Sequence, residues 1–156
     1  MTPAIKQLEL NKIDYQLHEY SHQPGVESYG IEAANSLNLS AKQVFKTLIV
    51  ADKNGQLYVG IVPVSGTLDL KKMAKALSIK GLALSDSKKA QNATGYIIGG
   101  ISPLGQKRQL KTVIDQSASN YSKIYVSAGK RGLDLSLSPF DLQQQTNAIS
   151  ADIAAG

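Results

Sequence analysis

The chain of 156 residues contains no cysteine. Disulfides, a protein thiolate nucleophile and the cysteine-based zinc and iron–sulfur sites are therefore excluded. Any reaction that depends on a thiol would have to take that thiol from the substrate.

Long hydrophobic runs are also missing. No stretch approaches the roughly 20 apolar residues that a membrane-spanning helix requires, and residues 1–6 lack the layout of a secretory signal. We therefore expect a cytoplasmic protein without a membrane partner. Hydrophobic residues make up 42% of the chain, enough for one sizeable core. Since no linker or repeat divides the sequence, we expect residues 1–156 to form a single domain.

Histidine is scarce, because His18 and His22 are the only two in the sequence. On an extended segment their spacing separates them by about 13 Å, too far for both to bind one metal ion. Ser102 does not lie in a nucleophile elbow, because Gly105 comes one residue too late for the Gly-x-Ser-x-Gly pattern. Gln106 stands where a phosphate-binding P-loop needs lysine. We therefore expect neither a serine triad nor NTP hydrolysis, and no metal or cofactor.

The hydrophobic pattern alternates between helical and strand periods without a regular strand–helix repeat. The clearest hairpin pairs residues 44–51 with 57–64 around a Lys53-Asn54-Gly55 turn. The remaining pattern predicts a turn over 21–25, helices over 2–10, 31–37, 69–77, 86–92 and 139–144, and strands over 15–20, 81–84, 96–98, 113–114, 123–127 and 133–137. This order favours an α+β domain with a mixed or antiparallel sheet and surrounding helices.

A glycine-bounded loop over residues 99–105 follows the predicted strand 96–98. Glycine lets backbone amides approach a ligand closely, and Pro103 stiffens the turn around Ser102. The loop is either a substrate cradle or a tight turn between two strands.

Basic residues outnumber acidic ones, 17 to 12. They cluster at residues 71–75, 88–89, 107–111 and 130–131. Such clusters bind RNA phosphates when several share one face, and otherwise they are solvated surface.

Two charged residues interrupt strand patterns. Lys46 lies within the apolar run 44–50, where its ammonium either faces a cleft and stabilises negative charge or points to solvent from a half-exposed strand. Asp134 alternates with leucines, so it either binds a substrate ammonium or lies on the wet face of an edge strand.

Several motifs together are recognisable. They are Phe45-Lys46-Thr47-Leu48, Thr94-Gly95-Tyr96, Gly99-Gly100-Ile101-Ser102-Pro103-Leu104-Gly105-Gln106-Lys107 and Gly129-Lys130-Arg131-Gly132-Leu133. Through them the chain resembles the YbaK family of aminoacyl-tRNA deacylases, from residue 2 nearly to the C-terminus. The resemblance implies a single α+β editing domain with a mixed, largely antiparallel, barrel-like sheet.

The resemblance also implies a function. Family members act in trans beside prolyl-tRNA synthetase and hydrolyse cysteine mischarged on proline tRNA, with Cys-tRNA(Cys) as a further substrate. The sulfhydryl of the substrate attacks its own ester carbonyl, so the protein needs no nucleophile. The alternatives are a deacylase for another small residue, such as Ala-tRNA(Pro), and a tRNA- or synthetase-binding module without activity.

Site residues follow from the resemblance, motif by motif. It assigns Lys46 and the Gly99-Gly100 backbone to catalysis at the aminoacyl ester. The substrate-binding set comprises Tyr20, Tyr29, Thr47, Ile101, Ser102, Ser127 and Asp134. Three positions depart from the family pattern: Tyr29 replaces phenylalanine, Ile31 replaces aspartate and Ala128 replaces glycine. The added hydroxyl of Tyr29 changes the size or hydration of the pocket.

Overall fold

A computed structural model describes residues 1–23 and 28–156. This part of the chain forms one α+β unit with a short 3₁₀ helix at Gln116–Asn120. Its helices are α1 (Pro3–Leu10), α2 (Tyr29–Ser36), α3 (Leu70–Leu77), α4 (Ser87–Thr94) and α5 (Pro139–Thr146). Its strands are β1 (Gln16–Glu19), β2 (Phe45–Ala51), β3 (Leu57–Pro63), β4 (Thr67–Leu68), β5 (Ala83–Leu84), β6 (Lys111–Asp115), β7 (Ile124–Lys130), β8 (Leu133–Leu137), β9 (Ile149–Ala151) and β10 (Ala154–Ala155).

The helices begin where the sequence places capping residues. The side chains of Thr2, Ser28, Asp69, Asp86 and Ser138 each accept a hydrogen bond from a backbone N–H of the first turn. These bonds satisfy amides that have no partner inside the helix. The predicted helices are thus confirmed, with ends that differ by a few residues.

The strands form separate sheets rather than a closed barrel. A five-stranded sheet has the order β5-β2-β3-β6-β9, a three-stranded sheet has the order β1-β8-β7, and β4 pairs with β10. Among the strand pairs of the described residues, only β3–β6 and β6–β9 are parallel. The α+β class and the mixed, largely antiparallel pairing are confirmed. The barrel-like expectation is wrong, because a single parallel bridge, Val44 to Tyr125, joins the two larger sheets.

The main core lies between these two sheets. Ile49 and Val59 of the five-stranded sheet and Val126 and Leu135 of the three-stranded sheet belong to one buried cluster, which α1 closes with Leu8. A second cluster covers the other face of the five-stranded sheet with α3. Every residue of β3 is buried as a result, which explains its uninterrupted apolar sequence. No helix in the described ranges has the length and apolarity needed to cross a bilayer.

The predicted strand over residues 96–98 is wrong. Its backbone groups are used in other hydrogen bonds. Ile98 N–H donates to the side chain of Gln91, at Oε1, over 2.9 Å, and Ile97 O accepts the N–H of Gly100 at 2.9 Å, which closes a turn. With these groups taken, no strand partner can pair there.

Three short strands were not predicted. β4, β9 and β10 contain two or three residues each, too few to show a period, and β9 and β10 pair with strands far away in the chain. The turn was predicted over residues 21–25, and two of these, Pro24 and Gly25, lie outside the described residues.

Candidate active site

A cavity of about 400 Å³ opens between the two larger sheets, beside the N-terminus of α2. Most of the residues predicted for the site line it, namely Tyr20, Tyr29, Lys46, Thr47, Gly99, Ile101, Ser127 and Asp134. The fold therefore brings together residues from four distant parts of the chain.

The open edge of β2 forms one wall of this cavity. β3 pairs with all of β2, whereas β5 pairs only with Val50 and Ala51. Ser85 N–H donates to Ile49 O on the β5 side of β2. Strand alternation therefore directs the N–H and C=O of Thr47 to that same side, where no strand of the described residues covers them. The hydroxyl of Thr47 is also buried without a hydrogen-bond partner in the described ranges. A ligand in the cavity would supply partners for these groups.

Lys46 is half-buried at this wall. Its ammonium forms no ion pair within the described part of the chain, and burial lowers its pKa from the ordinary value. An amine placed here without a counter-ion is available to a carbonyl oxygen or a phosphate. Its position in the cavity favours the cleft interpretation of the sequence over the solvent-facing one.

Asp134 lies on the opposite wall. β8 is the central strand of its sheet, with His18 of β1 and Ser127 of β7 on either side of Asp134, so the edge-strand interpretation is wrong. Asp134 is 4% exposed, and burial raises the pKa of its carboxyl group to about 7. Burial also raises the pKa of Tyr20 to about 12, with the charge of Asp134 contributing. No cation pairs with Asp134 among the described residues, so a bound ammonium would find an open partner.

The glycine loop reaches the cavity only at its start. Ile98, Gly99 and Ile101 line it, whereas Gly100 and Ser102 do not. A side chain at Gly100 would approach Lys130 Cα to 2.8 Å, so this glycine serves close packing of two backbones. Ser102 is fully buried and its hydroxyl accepts the N–H of Leu104 at 3.2 Å, which closes the loop internally.

Comparisons with known proteins agree with this geometry. The family model for the aminoacyl-tRNA editing domain matches residues 23–144. The chain belongs to this family. A relative from Enterococcus faecalis, EbsC, named as a candidate Cys-tRNA(Pro)/Cys-tRNA(Cys) deacylase, is 38% identical over 97% of this chain and 92% of its own. The resemblance to YbaK-type editing proteins is therefore confirmed.

Solved structures share the fold of this editing domain. The hypothetical protein APE2540 superposes with a TM-score of 0.88 at 25% identity, covering 99% of this chain and all of its own. A candidate trans-editing enzyme for prolyl-tRNA synthetase superposes with a TM-score of 0.81 at 22% identity, covering 100% of this chain and 99% of its own.

Two further residue sets shape the mouth of the editing-domain cavity, and the sequence analysis did not assign them. Arg131 donates from Nε and Nη2 to Ile98 O at 2.9 and 2.7 Å, and its guanidinium carbon lies 4.8 Å from the centre of the Tyr29 ring. Its motif, Gly-Lys-Arg-Gly, was visible in the sequence, but only as a basic cluster and a family signature.

In the second set, Glu32 of α2 holds residues 22 and 23. Glu32 accepts hydrogen bonds from Gln23 N–H at 2.7 Å and contacts His22 Nδ1 at 2.8 Å. The His22 ring lies 5.6 Å from the Tyr29 ring. His18 instead contacts Ser136 Oγ at 2.9 Å. Neither histidine belongs to a group of three or more potential metal ligands among the residues described.

Proposed function

We propose that this editing domain is a trans-acting deacylase that hydrolyses Cys-tRNA(Pro), with Cys-tRNA(Cys) as a second substrate. The observation that supports this most strongly is the pair of ionisable groups, Lys46 and Asp134, that share one cavity and form no ion pair with any described residue. Burying charge without a partner destabilises a fold, so such groups are typical of ligand sites. The name given to EbsC supports the same substrates.

The charges suit the two ends of an aminoacyl ester. The α-ammonium of the amino acid would bind the Asp134 carboxylate, and its positive charge would lower the pKa of that group below about 7. The ester carbonyl would lie toward Lys46, whose ammonium stabilises the negative charge that develops on the carbonyl oxygen during attack.

The cavity offers hydroxyl groups but no activated protein nucleophile. Ser127 Oγ accepts the N–H of Gly129 at 3.1 Å, and neither histidine lines the cavity in the described ranges. We therefore propose that the substrate thiol attacks its own ester carbonyl. A sulfur–carbon bond forms, the bond from the carbonyl carbon to the ribose oxygen breaks, and the thiol proton passes to that oxygen. Water then opens the released thiolactone to cysteine.

The partner that we propose is prolyl-tRNA synthetase, in the cytoplasm. Cysteine and proline are close in size, and a pocket discriminates weakly between ligands that differ by little volume. A second site that acts after release of the tRNA corrects the error. The structure of the candidate trans-editing enzyme for that synthetase has the same fold.

Deacylation of purified Cys-, Ser- and Ala-tRNA(Pro) by the wild type and by Lys46→Ala tests the proposal. We expect rapid loss of cysteine only, and a decrease of kcat/KM on the order of 100-fold or more in the variant, because one stabilising group in a dry site contributes this much. Lys53→Ala, which removes an exposed lysine from the β2–β3 turn, is the matched control and should retain full activity.

Each other outcome contradicts part of the proposal. Equal cleavage of the alanyl or seryl ester would rule out thiol attack and indicate a water-dependent deacylase. Tight tRNA binding without cleavage of any ester would indicate a binding module.

A further inference from the structure

The turn at the mouth of the cavity has a defined geometry. Gly100 N–H donates to Ile97 O at 2.9 Å, which closes a four-residue turn with Ile98 and Gly99 at its centre. Gly99 has a φ of +89°, whereas Ile98 is not among the residues with positive φ. This combination is that of a type II turn, which needs glycine at its third position.

The central peptide of such a turn has an alternative orientation. Type I and type II turns differ by rotations of roughly 150° and 170° in the two dihedrals that flank this peptide. The rotation reverses the directions of the Ile98 carbonyl and the Gly99 N–H. Glycine at the third position permits both orientations, so a contact outside the turn can fix one of them.

Arg131 makes that contact. Two of its N–H groups converge on Ile98 O at 2.9 and 2.7 Å, and its guanidinium lies over the Tyr29 ring. A planar guanidinium held on two sides has little freedom, so the carbonyl that it binds is held as well. Gly99 makes this approach possible, because a Cβ there would lie 2.6 Å from Arg131 Nε and 2.9 Å from Tyr29 Cε2.

The consequence concerns the Gly99 N–H. In a trans peptide the N–H points opposite to the carbonyl, hence away from Arg131. Gly99 lines the cavity, and its N–H has no backbone partner among the described residues, whereas that of Gly100 is used in the turn. We propose that Arg131 is a positioning residue that orients the Gly99 N–H as the hydrogen-bond donor to the ester carbonyl oxygen of the substrate.

This inference rests on the proposed deacylase function and goes beyond it. Arg131 is exposed and does not line the cavity, so it acts through the turn rather than by touching the ester. A guanidinium that only bound a tRNA phosphate would contribute to KM and leave kcat unchanged, which separates the two roles.

The kinetic test compares Arg131→Met, Arg131→Lys and the control Lys123→Met on Cys-tRNA(Pro). Lys123 is also exposed and lies 5.8 Å from the Tyr125 ring centre, so its loss removes a similar charge and aromatic contact elsewhere. We expect kcat to fall roughly 10- to 100-fold in Arg131→Met, partial recovery in Arg131→Lys, and no change in the control, as for other misplaced oxyanion donors. A raised KM with unchanged kcat, fully restored by Arg131→Lys, would overturn the proposal.

A second measurement does not depend on activity. In ¹⁵N–¹H spectra of the full chain, the Gly99 and Ile98 amide signals should shift or broaden in Arg131→Met, while signals from α3 and β6 stay in place. Unchanged Gly99 and Ile98 signals would overturn the proposal even in an active enzyme. If the wild type cleaves no ester while the Gly99 signal still responds, the deacylase function has failed and the positioning role of Arg131 in the turn stands.

Discussion

Asp134 and Asp115 are two aspartates with the same exposure, 4%, and opposite surroundings. The Asp115 carboxylate accepts hydrogen bonds from Ile153 N–H, Ala154 N–H, Ser117 N–H and the Ser117 hydroxyl. Asp115 therefore holds the C-terminal strand segment to β6. Asp134 has no such donors among the described residues and lines the cavity, so its burial destabilises the fold, as expected for a group that binds a ligand.

The pH dependence of stability should report this burial. Because the pKa of Asp134 is about 7 in the folded state and about 4 when unfolded, the folded state binds a proton more tightly. The proton on Asp134 therefore stabilises the folded state fully below pH 4, and this stabilisation is lost as pH rises toward 7. Asp134→Asn should not show this loss of stability. Measured by urea unfolding, the free energy of unfolding of the variant should therefore rise relative to that of the wild type by about 2–4 kcal/mol between pH 4 and pH 8.

Asp115→Asn is the control for this measurement. Asparagine has one acceptor oxygen where four donors converge, so the variant should be less stable than the wild type at neutral pH. An identical pH profile in Asp134→Asn and the wild type would contradict the assigned burial of Asp134.

Among the elements, the turn at 97–100 matters most for the site. Its backbone groups are bound by side chains from α4 and from the β7–β8 connection, so the turn is positioned from outside. The sequence marked the segment as glycine-rich but also predicted a strand leading into it. Apolar residues such as Ile97 and Ile98 suit both structures, and the side chains that decide between them are distant in sequence.

Gly99→Ala tests the role of this turn. The new Cβ would meet Arg131 and Tyr29 at less than 3 Å, so these two side chains must move away from the turn. We expect kcat/KM to fall by at least about 10-fold, with a loss of stability on the order of 1–3 kcal/mol.

Gly55→Ala is the matched control in this case. Gly55 also has a positive φ, +82°, but no atom lies within 4 Å of its hypothetical Cβ. Backbone strain alone should therefore lower its melting temperature and leave activity intact. If both alanine variants lose activity equally, global destabilisation explains the effect rather than the turn.

At the scale of the whole molecule, the net charge of +5 favours a polyanionic substrate. The basic clusters differ in availability, however. Lys72 pairs with Asp152 at 3.1 Å, whereas no ion pair of the described residues involves Lys88, Lys89 or Lys130. Lys88 and Lys89 lie in α4 and Lys130 ends β7, next to elements that contribute to the cavity or its mouth, so we expect these lysines to be among the groups that contact tRNA phosphates.

Salt should weaken tRNA binding without slowing the chemical step. Plotted on logarithmic axes, kcat/KM for Cys-tRNA(Pro) should fall with salt concentration, each phosphate contact contributing about −0.7 to −0.9 to the slope. Saturating kcat should stay constant. Cysteinyl adenosine lacks the phosphates, so its kcat/KM should not depend on salt. An equal slope for both substrates would place the salt effect in the cavity rather than on a tRNA surface.

Much of the fold could be predicted from local pattern. Helices such as α1 and α3, and the hairpin around Gly55, depend on interactions within a few residues, so the local pattern predicted them. Short strands such as β9 and the separation of the sheets depend on pairing between distant segments, which leaves no local period. The same difference applies to the site residues. The sequence indicated Lys46 and Asp134, because they are charged residues in apolar strands, whereas nothing in the local pattern distinguished Arg131 from other basic residues.

The residue types in the chain set the chemistry that is available to this protein. Without cysteine, and with two histidines near one end, it could supply charge and backbone donors but no thiolate of its own. Which of these groups meet depends on how the sheets pack against each other. Lys46 and Asp134 lie far apart in the chain and on different sheets, and their function depends on the burial and the shared cavity that packing of those sheets creates.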